Sequence, residues 1–186
     1  MQTMTRSMVN GIDVEALRSM IDQVGAEPAG GMAKFEVATR WMGGTSSETE
    51  VEAWELGGER LKRGFAIRTD EPAQLCGRDM APNPQEVLMA AVNACMMVGY
   101  VAVSAMMGVE LEKLEIRTSG TLDLRGFLGI DQQVKPGYEG LDYTVVIKGN
   151  GTPEQFRQIH DMVMATSPNF SNMSSPVTMR PQLMVL

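Results

Sequence analysis

Hydrophobic and polar positions change period several times along this chain. Over residues 13–24 (DVEALRSMIDQV) apolar side chains fall at Val14, Leu17, Ile21 and Val24, the spacing of one helix face. Asp13 is placed to cap the start of that helix and Gly25 to stop it. EPAGG at 27–31 reads as a linker. The sequence therefore predicts an N-terminal helical extension over 1–31 and a main domain over 32–186.

In the main domain the period falls to two. Residues 33–41, 49–56 and 63–69 alternate, and Gly43-Gly44 and Gly57-Gly58 supply turn signals between them, which predicts an antiparallel meander. Asn83-Pro84-Gln85-Glu86 then opens a helix, with Asn as N-cap, Pro at the first turn and Glu able to return a bond to the cap. From Val87 to Val109 the only polar side chains are Asn93, Cys95, Tyr100 and Ser104. A run of that length could span a bilayer. Its Ala-, Gly- and Met-rich composition, the mid-run Asn93 and the lack of basic flanks point instead to burial in the centre of a protein or dimer. Strands are expected over 110–123 and 138–148, and Thr152-Pro153-Glu154-Gln155 repeats the capping pattern before a helix interrupted at Ser167-Pro168. Residues 176–186 (PVTMRPQLMVL) read as a last strand, confined by Pro181 to an edge or bulge. The expected class is α+β.

Composition narrows the chemistry. The net charge is −7 and the 16 basic residues form no cluster, which excludes a phosphate-tracking nucleic-acid surface and disfavours an anionic membrane. Two cysteines, Cys76 and Cys95, and one histidine, His160, give neither a disulfide scaffold nor metal-ligand spacing. No metal or other cofactor is expected. The N-terminus has no apolar signal segment, so a cytoplasmic location is the expectation. Met is abundant at 17 residues, which suits an adaptable interior.

The segment TDEPAQLCGRDMAPNPQEVLMAAVNAC, residues 69–95, resembles the stretch leading into the first cysteine of the OsmC and organic hydroperoxide resistance proteins. ATSPNFSNMSSPV, residues 165–177, resembles the place of that family's second cysteine. The likeness covers roughly 33–186. It implies an intertwined homodimer, with antiparallel sheets wrapped around long central apolar helices and sites at the subunit interface. It also implies thiol-dependent reduction of hydroperoxides: a thiolate is oxidised to a sulfenic acid, condenses with a second cysteine, and is reset by a reductant. In the family an Arg held by a Glu activates the thiolate.

Carried over residue by residue, the first cysteine is Cys95, while the second falls on Ser167. The Glu falls on Gln85, with Glu86 one place later, and the Arg falls near Met42, two residues from Arg40. Arg78 is a further candidate cation. The candidate catalytic residues are thus Cys95, Arg40 and Glu86, and the candidate substrate-binding residues are Ser167, Asn93 and Met97. Two readings stay open for Cys95: a small buried hydrophobe, or a reactive thiol resolved by an external dithiol. Ser167 reads as a helix-end feature or a ligand contact. Glu86 is accounted for by capping, and His160, next to Asp161, reads as a solvated-face residue or as a base oriented by that carboxylate. Asn93, a buried amide, requires partners. A second function fits the same pattern: a non-catalytic dimeric binder of a small hydrophobic ligand.

Overall fold

The computed structural model describes residues 8–186, and contacts group the chain into two compact units, one up to Ala90 and one from Ala91. In the first, a short ladder of β1 (Met8–Val9) and β2 (Ile12–Asp13) leads into α1 (Val14–Ala26). The Asp13 carboxylate accepts the Ala16 N–H at 3.1 Å, the cap its position predicts. The helix runs through Gly25 before ending, since one internal glycine costs only about 1 kcal/mol. Residues Pro28–Gly31 of the expected linker wind into a single 3₁₀ turn.

Strands β3 (Ala33–Trp41), β4 (Ser47–Leu56) and β5 (Glu59–Thr69) form the predicted meander in the order β3-β4-β5. Gly57 and Gly58 turn the second hairpin with φ of 56° and 88°, the left-handed backbone that a two-residue primed turn requires. Against β3, the register shift between Glu36 and Val37 leaves one extra residue in β4, Glu52. This bulge returns Val51 and Trp54 to the same face although they are three apart. The sheet is consequently two-faced. One side carries the ion pairs Arg40–Glu50, Arg60–Glu36, Arg60–Glu55 and Arg68–Glu48. Exposed pairs of this kind contribute little to stability, so they mark the water-facing side more than they hold it together. The other side presents Phe35, Val37, Trp41 and Phe65, which are 76, 61, 77 and 58% exposed. Among the described residues of the first unit nothing covers it.

Asp70 ties the loop that follows. It is 1% exposed and accepts from the Thr45 hydroxyl at 2.7 Å and from the N–H groups of Glu71, Arg78 and Met80. The Thr45 bond, with the N–H donors of Glu71 and Met80, outweighs burial and holds its pKa down at about 2.

Helix α2 (Pro84–Met106) carries the chain from the first unit into the second. Its start is the expected reciprocal box: Glu86 N–H donates to Asn83 Oδ1 at 2.9 Å, and Asn83 N–H donates to Glu86 Oε2 at 2.8 Å. It stops at Met106, short of Val109, because the N–H groups of Gly108 and Val109 turn back to the carbonyls of Ala105 and Ser104. That closing motif drops Val109 into the core at 2% exposure. The helix is long and apolar enough to cross a bilayer by length and composition, and only 22% of its most apolar window is buried within the chain.

The second unit continues with β6 (Leu111–Ser119), the short α3 (Leu124–Phe127), β7 (Asp142–Gly149), α4 (Pro153–Thr166) and α5 (Pro168–Ser174). Strands β6 and β7 pair antiparallel, with Ile116 opposite Val145 and Leu114 opposite Ile147. Thr152 and Gln155 make the second capping box. The core forms where Val92, Met96 and Tyr100, one face of α2 at four-residue spacing, meet Ile159 and Val163 of α4. Gly99 sits at that crossing, where a Cβ would lie 3.3 Å from both methyls of Val163. An alanine there would require the Val163 side chain to give by a few tenths of an ångström.

Two expectations are corrected. The strand expected over 138–148 begins only at Asp142, leaving Tyr138–Leu141 in an irregular segment despite its alternation. Residues 176–186 form no strand, and Leu183 and Val185 stand 90 and 84% exposed. Alternation suits a segment to pairing but supplies no neighbouring ladder, and in this chain the tail meets none.

Candidate functional site

Cys95 occupies the middle of α2 within the second unit, one residue before the core residue Met96, and is half-buried with its thiol free. Ser167, 5% exposed, stands beside it at the junction of α4 and α5. The Ser167 backbone N–H donates to Val163 O and ends α4. Its Oγ accepts the Phe170 N–H at 3.4 Å, capping α5, and donates to Cys95 Sγ at 3.6 Å. Pro168 makes this junction obligatory, since proline fits the first turn of a new helix but not the interior of the old one. The helix-end reading of Ser167 is met, and its hydroxyl also touches the thiol.

The other candidates are distributed as follows. Asn93, also half-buried, accepts from the Thr118 hydroxyl at 2.6 Å and reaches the Ile116 carbonyl at 3.5 Å. It locks α2 to β6, and its amide finds these partners inside the chain. Met97 is half-buried, and it is its neighbour Met96 that lines the adjoining pocket. Glu86 serves the helix cap. In the first unit, the Arg40 guanidinium is held by Glu50 at 2.9 Å, and Arg78 donates to the Ser46 hydroxyl at 3.0 Å. Cys76 is exposed and free. Among the described residues no three His, Cys, Asp or Glu side chains gather as a metal ion would require.

His160 does not face solvent as expected. It is half-buried, with Nδ1 2.5 Å from the Tyr100 hydroxyl. Tyr100 is 1% exposed, and burial, with a smaller push from Tyr143, raises its phenol to about 12. The phenol is thus protonated at neutral pH, and His160 Nδ1 is the partner of its hydroxyl. The signal for this pair was present in the sequence: a tyrosine inside an apolar run needs a partner for its hydroxyl, and the chain has one histidine.

The sequence compared with family models matches the OsmC-like protein family over residues 77–181. This chain belongs to the OsmC-like family. No curated protein sequence matches it. Among solved structures it is similar to an OsmC-like protein from Mycoplasma pneumoniae, with a TM-score of 0.61, 12% identity, and 77% of this chain and 89% of the other covered. It is also similar to an OsmC-like protein of unknown function from Vibrio cholerae, with a TM-score of 0.51, 16% identity, and coverage of 75 and 93%. At these identities the likeness establishes the α+β OsmC-like fold. The matched range contains both Cys95 and Ser167.

Proposed function

We propose that this OsmC-like protein is a homodimeric thiol reductant of hydroperoxides that works with one cysteine of its own and an external dithiol. The Cys95 thiolate attacks the distal oxygen of ROOH; the O–O bond breaks, ROH leaves after taking a proton, and sulfur is oxidised to the sulfenic acid. An external dithiol then attacks that sulfur, water leaves, and its second thiol releases Cys95 as the thiol while the reductant becomes a disulfide. The observation that carries this reading is the hydrogen bond from Ser167 to a free, half-buried Cys95. Ser167 touches Cys95 but forms no disulfide with it, and an external dithiol takes the resolving role. Turnover of cumene hydroperoxide with dithiothreitol tests the reading. Loss of turnover in Cys95→Ser supports it, and equal turnover in the two proteins removes it.

The homodimer has its own support. The apolar side of the β3-β4-β5 sheet and most of α2 need cover, and a second copy offers the same two faces in return. A second functional reading, a binder of a small hydrophobic ligand, is favoured by a pocket of about 260 Å³ in the second unit and by the loss of the second cysteine. Native mass spectrometry of the purified protein, with retained ligand as the supporting result, tests it.

A further inference from the structure

Strands β6 and β7 already pair at Ser119 and Asp142, so a tight turn of two to five residues would close the hairpin. Residues 120–141 are used instead, and their last part forms one wall of the 260 Å³ pocket. Met96 of α2, Tyr143 of β7, and Phe170 and Met173 of α5 form much of the rest, with Leu141 from the segment itself. Neither Cys95 nor Ser167 lines it. At about 30 Å³ per water-sized group, the space suits a ligand of roughly ten non-hydrogen atoms.

Polar groups inside are already committed. The Thr118 hydroxyl donates to Asn93, the Tyr143 hydroxyl to Met164 Sδ at 2.7 Å, and the Ser174 hydroxyl to the Phe170 carbonyl. What remains for a ligand in the interior is apolar and aromatic contact. The rim differs. Lys34, Lys113 and Lys148 each hold a carboxylate, whereas Lys62 and Lys135 have no acidic partner among the described residues, and of these two only Lys135 lines the pocket. The backbone N–H groups of Tyr138, Glu139, Gly140 and Leu141 likewise donate to no protein acceptor there. One carboxylate, Glu139, shares the rim and opposes this set of donors.

We infer that this pocket binds a small amphiphile with an anionic head, of the class of medium-chain carboxylates, its tail against Met96, Phe170 and Met173 and its head at Lys135. The inference builds on the hydrophobic-binder reading and is independent of redox chemistry at Cys95. Isothermal titration of the full-length protein with octanoate, 1-octanol and octylammonium tests it. Octanoate is expected to bind once per chain and more tightly than the other two. Lys135→Ala should weaken octanoate about two- to fivefold, the loss of one charge-assisted contact at an exposed site, and leave octanol unchanged. Glu139→Gln should act in the opposite direction. Met173→Trp, at a position 41% exposed and so tolerant of size, should fill the pocket and abolish binding, while Cys95→Ser binds as wild type.

Octanol bound as tightly as octanoate, with both lost in Met173→Trp, overturns the anionic class and leaves an apolar binder. Octylammonium bound more tightly than octanoate, no effect of Lys135→Ala, or no binding of any of the three overturns the assignment.

Discussion

Replacing Ser167 by cysteine places two thiols where Cys95 Sγ and Ser167 Oγ now lie 3.6 Å apart. A disulfide needs about 2.05 Å between sulfurs, so side-chain rotation has roughly 1.5 Å to close. The two positions are 72 residues apart in the chain. Loop-closure entropy for a ring of that size corresponds to about 4.4 kcal/mol at 25 °C. Against it stands the loss of the α5 cap, about 1 kcal/mol, leaving about 3 kcal/mol before strain. With a urea slope of about 2 kcal/mol/M, oxidised Ser167→Cys should unfold near 1.5 M higher urea than wild type. The reduced variant should unfold about 0.5 M lower. The experiment belongs in a Cys76→Ser background, because Cys76 is exposed and free and would cross-link molecules. Thiol titration after oxidation should find both sulfurs consumed within one chain. Two thiols still titratable after treatment with diamide, or midpoints that coincide with and without reductant, would refute the placement of Ser167 against Cys95.

Other outcomes follow from individual contacts. Tyr100→Phe should cost about 1 kcal/mol at neutral pH, the usual worth of one hydrogen bond. Because the Tyr100 phenol is raised from 10.0 to about 12, the wild type keeps this stability below pH 10 and loses on the order of 2 kcal/mol as the pH rises through 12. Urea midpoints at pH 9 and 11 should therefore fall further in wild type than in Tyr100→Phe, and parallel falls would contradict the burial of that hydroxyl. Asp70 runs the other way: its pKa is lowered from 3.8 to about 2, so its contribution is present above pH 4 and lost as the pH falls through 2. Asp70→Asn should be less stable at pH 7 and flatter in acid by circular dichroism, and an unchanged acid transition would count against the loop clamp. For the dimer, light scattering should give twice the 20.3 kDa chain mass. Phe65→Glu on the apolar side of the sheet should lower it, while Arg68→Glu on the charged side should not; a monomeric wild type at micromolar concentration would end the proposal.

Local physics made much of the fold legible. The caps at Asp13, Asn83 and Thr152, the glycine turn at 57–58 and the alternation of β3 to β5 are decided by neighbours a few residues away, and each element forms close to where the pattern places it. The family motif around Cys95 also lies in one continuous stretch. Where the sequence misled, the deciding partner was distant. Tyr138–Leu141 alternates like a strand yet walls a pocket. Residues 176–186 have strand-like composition but no ladder to join.

The site divides in the same way. Sequence alone determined that Cys95 lies on an apolar helix and that Ser167 precedes a helix-starting proline. Only the tertiary structure decided that those two residues touch across 72 positions of chain, that Asn93 is spent on Thr118, and that His160 turns inward to Tyr100. Pattern and propensity report which faces a segment must bury. They do not say which residue from elsewhere in the chain meets that face, because packing selects the partner by shape and by unmet hydrogen bonds, neither of which exists until the chain has folded.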